Sequence, residues 1–356
     1  MNARPRTVDE IDTPAVLIDL DRALANIARA QAHADAAEVK LRPHIKTHKL
    51  PFFARKQVEA GAVGITCQKI GEAEVMADAG LVDIFLPYNI LGRQKLARLK
   101  ALHDRVTLSV TADSATTLAG LAETFADKRR PLKVLIECDT GGGRCGVQDA
   151  EEALALARQI AGAQGLAFGG LMTYPAAGHP AEAEERLVTI RDRLAGDGLA
   201  CEIVTSGGTP DMWRNPDRRI VTEYRPGTYI YMDRYQVGKG ATAYHDCALT
   251  VLATVVSHPT PTRAILDSGS KALSSDTLGL PDHGELVGVP GARVTALSEE
   301  HAKVELSGDG RLKIGERVRV LPDHACVVTN LFDEVHLISG ERVVDILPVA
   351  ARGRMG

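Results

Sequence analysis

The stretch "LKVLIECDTGGGRCGVQDAEEALALARQIAGAQGLAFGGLMT" (residues 132–173) decides the fold. It opens on one short apolar run, LKVLIEC (132–138), and closes on another, AFGGLMT (167–173). Between them, DAEEALALARQIAGA (149–163) repeats apolar residues at helical spacing, so one face is apolar and the other charged. Strand, amphipathic helix and strand in that order make a parallel βαβ unit, because parallel strands need a crossover to carry the chain back.

The same rhythm runs outward in both directions. DRALANIARAQAHADA (21–36) reads as a helix, and apolar runs near 40–45, 64–68, 83–88 and 106–110 precede the opening unit. Two more follow near 202–206 and 220–224, and the intervening KIGEAEVMADAG, GRQKLARLKALHD and AEAEERLVTIRDRLAGDG are amphipathic. Eight strands with intervening helices predict an α/β fold, a (β/α)8 TIM-type barrel over 21–238. A doubly wound open sheet is the alternative, but no GxGxxG follows an early strand. Near residue 240 the helical spacing stops. Segments such as ALTVLATVVSHP and ERVRVLPDHACVV predict a C-terminal all-β domain over 239–356. TPAVLIDL (13–20) is a further strand that places 1–20 with that domain.

Composition narrows the function. Of 356 residues, 25% are charged and the formal net charge is -4, so nothing advertises a nucleic-acid partner, which would normally need a basic face. The start, MNARPRTVDEIDTP, lacks the apolar core of a signal peptide, and no run reaches the roughly 20 apolar residues of a membrane span. The six cysteines are dispersed without a CxxC pair, so a cytoplasmic protein with reduced thiols is expected. A secreted disulfide scaffold stays open by arithmetic alone.

Barrel chemistry sits on the loops after the C-terminal ends of the strands. Those positions hold Lys46 after the first strand, Gln68 at the second, Tyr88 at the third, Asp139 and Arg144 after the fifth, and Tyr174 at the sixth. Ser206, Gly207, Gly208 and Thr209 follow the seventh; Gly227, Thr228 and Tyr229 follow the eighth. Glycines and hydroxyls after strands seven and eight suit a phosphate, although ordinary glycine turns read the same way. A phosphate there and a lysine at strand one together suggest pyridoxal 5'-phosphate, held by its phosphate and by a Schiff base to the lysine. In "LRPHIKTHK" (41–49), Arg42, His44, His48 and Lys49 surround Lys46, and neighbouring cations lower an amine's pKa. A solvated basic loop is the alternative. In "PDHACVV" (322–328), strand alternation puts His324 and Cys326 on one face, where imidazole and thiolate suit a divalent metal, preferably zinc. A half-buried cysteine beside a chance histidine is the plainer reading.

"RPHIKTHK" resembles the cofactor-lysine motif of the D-threonine aldolase and D-serine dehydratase family of fold-type-III pyridoxal-phosphate enzymes. The resemblance continues through "ITCQKIGEAEVMADAG" (65–80), "YNILG" (88–92), "GGRCGV" (142–147), "TSGGTP" (205–210), "RPGTYIYMD" (225–233) and "PDHACVVTNLFDEV" (322–335). It implies an alanine-racemase-like barrel, Lys46 as the Schiff-base lysine, and His44, Gln68, Arg144 and Tyr174 around the cofactor. It also implies a phosphate cradle at Ser206–Thr209 and Gly227–Tyr229, and a divalent metal, zinc or manganese, on His324 and Cys326. A homodimer acting on D-3-hydroxy amino acids follows from the same resemblance. Within the family, retro-aldol cleavage to glycine and an aldehyde is the expected reaction, and dehydration to a 2-oxo acid and ammonia is the alternative. His-x-Cys leans to the dehydratases; "YNILG" and the 65–80 stretch lean to the aldolases. In "MTYPAAGH" (172–179) the aldolases' histidine after the tyrosine is Pro175, and His179 or a metal-bound hydroxide is the substitute base. A metal-free racemase and a non-catalytic cofactor carrier are weaker readings: a racemase has no use for His324 and Cys326, and a carrier none for the β-domain.

Overall fold

A computed structural model describes residues 4–213, 220–307 and 312–356. The chain separates into two compact units. One comprises 29–46, 51–227 and 353–356; the other comprises 1–28, 47–50 and 228–352. The boundaries fall between Lys46 and Thr47 and between Gly227 and Thr228, two of the loops singled out from the sequence.

After β1 (Ala15–Asp19) and α1 (Leu20–Ala36), the first unit is built from eight parallel strands. They are β2 (Lys40–Leu41), β3 (Ile65–Thr66), β4 (Asp83–Leu86), β5 (Thr107–Ala112), β6 (Leu132–Glu137), β7 (Leu166–Met172), β8 (Ile203–Ser206) and β9 (Glu223–Tyr224). Helices α2 (Pro51–Glu59), α3 (Ile70–Asp78), α4 (Arg93–His103), α5 (Ala115–Phe125), α6 (Ala150–Gly162) and α7 (Pro180–Ala195) alternate with them. Neighbours pair in the order β2-β9-β8-β7-β6-β5-β4-β3, and a parallel bridge from His44 to Thr66 joins β2's continuation to β3 and closes the ring. The expected first strand, 40–45, is regular over two residues only, because Pro43 has no N–H to give, although Arg42 and His44 N–H still donate to the Tyr224 and Pro226 carbonyls (2.9 and 3.0 Å). The Pro43 carbonyl accepts from the Thr66 N–H (2.8 Å).

The opening βαβ unit shows why this sequence folds so. In β6, Val134, Leu135 and Ile136 are all buried, as strands covered on both faces must be. In α6, Ala153, Leu154, Leu156, Ala157 and Ile160 form the buried stripe, and Asp149 caps the helix by accepting from Glu151 and Glu152 N–H. Gly170 in β7 has φ +126, and a Cβ there would lie 1.9 Å from the Ile203 carbonyl oxygen, so β7 and β8 meet only because that residue is glycine.

The second unit holds a nine-stranded sheet: β1, β10 (Leu249–Thr260), β11 (Arg263–Leu266), β12 (Glu285–Leu286), β13 (Arg293–Leu297), β14 (Ala302–Glu305), β15 (Arg317–Leu321), β16 (Glu334–Ser339) and β17 (Arg342–Pro348). The twelve-residue β10 pairs with β15, β1 and β11, and the pairings β10-β11-β14-β13-β12-β15 close a ring. β1 pairs antiparallel with β10 and parallel with β16. Short helices α8 (Arg234–Gly238), α9 (Ser270–Leu273) and α10 (Ala325–Leu331) complete it. "PDHACVV" is not a strand: β15 stops at Leu321, and His324 is the N-cap of α10. Ala325, Val328 and Thr329 recur at helical spacing and are the buried residues, so burial selects helix over the alternation seen in the sequence.

Candidate active site

In the barrel unit, Lys46 follows β2 on a 3-10 turn spanning Ile45–Thr47. The His44 ring holds it: His44 Nδ1 accepts the Lys46 backbone N–H (3.3 Å), and His44 Nε2 lies 2.9 Å from Gln68 Oε1. Nδ1 as acceptor leaves the proton on Nε2, which donates to Gln68. His48, in the other unit, likewise accepts the Leu50 N–H at Nδ1 (3.0 Å). Arg42 bonds Asp83 (2.5 Å) and Glu223 (2.7 Å) in the barrel interior. The cluster is therefore not a ring of cations around Lys46, as the sequence suggested. Arg42 is neutralised by two carboxylates, and both imidazoles serve as backbone acceptors. Lys49 has φ 57 and precedes α2 rather than opening it.

The Lys46 amine lies 5.8 Å from the centre of the Tyr174 ring, and the Arg144 guanidinium 5.0 Å from the same ring. Arg144 is carried on the loop after β6, whose turn is tied by Asp139 accepting from Gly141 (2.9 Å) and Gly143 (3.1 Å) N–H. After β8, Gly207 has φ +125, and a Cβ on it would meet the Tyr224 ring at 2.4 Å. The loop therefore lies flat on that ring, with the Tyr224 hydroxyl donating to the Gly208 carbonyl (2.7 Å). Two basic side chains about one aromatic ring, next to a glycine loop at the strand ends, fit a small anionic ring cofactor with a phosphate. His179 is the N-cap residue of α7, exposed, with Nδ1 3.3 Å from Glu182.

Sequence reasoning missed Arg225, directly before Pro226–Gly227. It is buried, donating to Thr205 Oγ1 (2.8 Å) and to the Thr173 carbonyl (2.6 Å), so it ties the ends of β7 and β8 together behind Tyr174. Burial pulls it down to about 10, and Glu223 and Glu137 oppose that shift. Burial in turn raises Glu137, opposed by Arg144. The signal was a lone arginine beside a Pro-Gly turn, too common to single out.

In the other unit, His324 and Cys326 come together with Asp276. His324 Nδ1 lies 2.8 Å from Asp276 Oδ2. Burial opposes charge on His324, but hydrogen bonds to Cys326 and Asp276 outweigh it and raise the imidazole to about 9. Cys326 Sγ lies 3.1 Å from the Thr47 hydroxyl and 3.5 Å from that of Thr228. Among the described residues no group of three or more His, Cys, Asp or Glu side chains is arranged to hold a metal. The imidazole and thiol are two suitable donors in contact, and in that respect they fit a borderline ion such as zinc. Tyr229 is fully buried in the same unit.

The alanine racemase N-terminal domain profile matches residues 18–235, and the putative serine dehydratase domain matches 248–338. A D-threonine aldolase from Arthrobacter sp. is 36% identical, covering 96% of this chain and 93% of its own. The chain belongs to the D-threonine aldolase and D-serine dehydratase family. Members of this family are pyridoxal-phosphate-dependent lyases of fold type III. The crystal structure of the Filomicrobium marinum D-threonine aldolase superposes with a TM-score of 0.92 at 31% identity, covering 100% of both chains. The D-threo-3-hydroxyaspartate dehydratase from Delftia sp. HT23 gives 0.87 at 32% identity, over 97% of this chain and 99% of that one. That dehydratase is also known as histidine-to-alanine and cysteine-to-alanine mutants, the latter in a metal-free form. No helix among the described residues of this family member is long and apolar enough to cross a membrane.

Proposed function

We propose that the protein is a metal-assisted lyase of D-3-hydroxy amino acids, cleaving a D-threonine-type substrate to glycine and an aldehyde. The observation that carries the reading is Lys46, its amine near the Tyr174 ring that Arg144 also approaches, in a chain alike over nearly its whole length to a D-threonine aldolase. Pyridoxal phosphate, when bound, supplies the electron sink that lets a bond at the substrate Cα break. Lys46 holds it and exchanges protons at its amine. His44 and Gln68 fix the lysine's backbone, and Arg144 and Tyr174 flank the ring. Ser206, Gly207, Gly208 and Thr209, with Gly227, Thr228 and Tyr229, are assigned the phosphate. His324 and Cys326 are assigned a divalent ion, zinc or manganese, which as a Lewis acid would take the substrate's 3-hydroxyl. The support for that ion is the pair's donor chemistry. The histidine and cysteine altered in the mutants of the dehydratase are also two positions apart. His179 is assigned the hydroxyl proton on its place in the chain, five residues past Tyr174. A cytoplasmic homodimer, with the barrel chemistry over 21–238 and the metal pair in the part formed by 1–20 and 239–356, completes the proposal.

The second reading is dehydration of D-serine or D-3-hydroxyaspartate, favoured by cysteine rather than a carboxylate beside His324. Product analysis with D-threonine and D-serine separates the two. Glycine with acetaldehyde supports the aldolase; 2-oxo acid with ammonia from either substrate replaces it with the dehydratase. The same assay on His179→Ala should show a loss of about 10²–10⁴-fold if His179 takes the proton. A loss below threefold removes it from that role.

A further inference from the structure

We propose that Asp276 is a positioning residue for His324, holding Nδ1 so that Nε2 is the nitrogen presented to a divalent ion. The inference rests on the metal reading above. Asp276 Oδ2 lies 2.8 Å from His324 Nδ1, and that nitrogen cannot take an ion without giving up the bond. The other ring nitrogen is left for the ion. Asp276 meets the imidazole at Nδ1, the nitrogen away from the one left for the ion, so its place is behind the ligand rather than beside it.

The main chain around His324 is already held on both sides. The Arg234 N–H donates to the Pro322 carbonyl (3.2 Å) and the Tyr235 N–H to that of Asp323 (3.4 Å). Asp233, buried, accepts the Ala325 N–H at Oδ2 (3.0 Å) and the Gln236 N–H at Oδ1 (3.0 Å). The Arg234 guanidinium bonds both Asp323 and Asp282. What this clamp leaves undetermined is the rotation of the His324 side chain, which is set by its hydrogen bonds to Asp276 at Nδ1 and to Cys326. Asp276 is itself placed by its loop: its N–H donates to Ser274 Oγ (3.0 Å) and its Oδ1 accepts the Leu278 N–H (3.2 Å), leaving Oδ2 for the histidine. A carboxylate on the far nitrogen of a ligating imidazole fixes its tautomer and orientation and raises its basicity.

The test is zinc affinity, read by competition with a chromophoric chelator on cofactor-loaded protein stripped of metal. Asp276→Ala should weaken zinc binding about 10–100-fold. Asp276→Asn, whose single amide oxygen can still accept from Nδ1–H at the cost of the Leu278 bond, should lose clearly less than Asp276→Ala. In a His324→Ala background, Asp276→Ala should cause no further loss. Cofactor absorbance should be unchanged throughout. Equal zinc affinity in wild type and Asp276→Ala overturns the inference and leaves the metal reading intact. So does a loss in Asp276→Asn as large as in Asp276→Ala, or a full further loss on top of His324→Ala. Wild-type protein that takes up no zinc and no manganese overturns both.

Discussion

At the scale of residues, the run 41–49 separates what charge counting sees from what geometry makes of it. Lys46 stands out in the sequence because a strand end, a glycine-rich phosphate loop and the family motif converge on it. Lys46→Ala should abolish the visible absorbance that borohydride reduces; retention of that signal would move the covalent attachment to another lysine. The neighbours were misjudged because a sequence lists charges without their partners. Arg42 bonds Asp83 and Glu223, residues 41 and 181 positions away. Removing Arg42 leaves two carboxylates unpaired, Glu223 in the interior. Arg42→Ala should therefore cost about 3–5 kcal/mol in urea unfolding. The pH dependence of the cofactor absorbance should stay as in wild type, whereas a shift in that titration would restore Arg42 as the cation that tunes Lys46. Asp276 and Arg225 were not legible, because their roles consist of contacts to distant residues.

At the scale of elements, helices and strands followed their periodicity wherever one face is buried over several turns or pleats, as in α6 and β6. Two short segments did not. PDHACVV alternates like a strand, yet seven residues cannot outvote the burial of Ala325, Val328 and Thr329, and the run becomes a turn and helix. Residues 40–45 are apolar enough for a strand, but Pro43, which has no N–H, interrupts its regular ladder. The loop after β8 shows local chemistry deciding a site. Gly207→Ala would force the Tyr224 ring away and disturb its bond to Gly208, and cofactor affinity should fall by about tenfold or more, measured by equilibrium titration of apoprotein. Gly162→Ala is the matching control. It ends α6 and its Cβ would meet nothing within 4 Å, so the change should stabilise by about 0.5–1 kcal/mol. Cofactor affinity unaltered by Gly207→Ala would detach that loop from the phosphate.

At the scale of the whole molecule, both units carry a buried histidine that resists protonation. His103 lies in the barrel unit, edge-on to Phe125 at 5.2 Å, and His336 lies in β16. Burial lowers both from 6.5. The unfolded chain takes up these protons near pH 6.5 and the folded chain only at lower pH. Their stabilising contribution is complete above pH 6.5 and declines as pH falls below it. Acidification from pH 7.5 to 5.5 should therefore lower the urea midpoint less, or raise it more, in His103→Gln and in His336→Gln than in wild type; the same change in all three would assign the pH dependence to other groups. The sequence by itself determined the α/β class, the barrel's eightfold alternation, the change to β structure near residue 240 and the family motif around Lys46. Each rests on local periodicity or on a short contiguous motif, and neither needs a distant partner. Only the tertiary structure decided how the ring closes through His44 and Thr66, which charges are neutralised, that His324 caps a helix, and that Asp276 stands behind it. Those outcomes depend on pairings between residues far apart in the chain, where burial and hydrogen-bond satisfaction outweigh local preference.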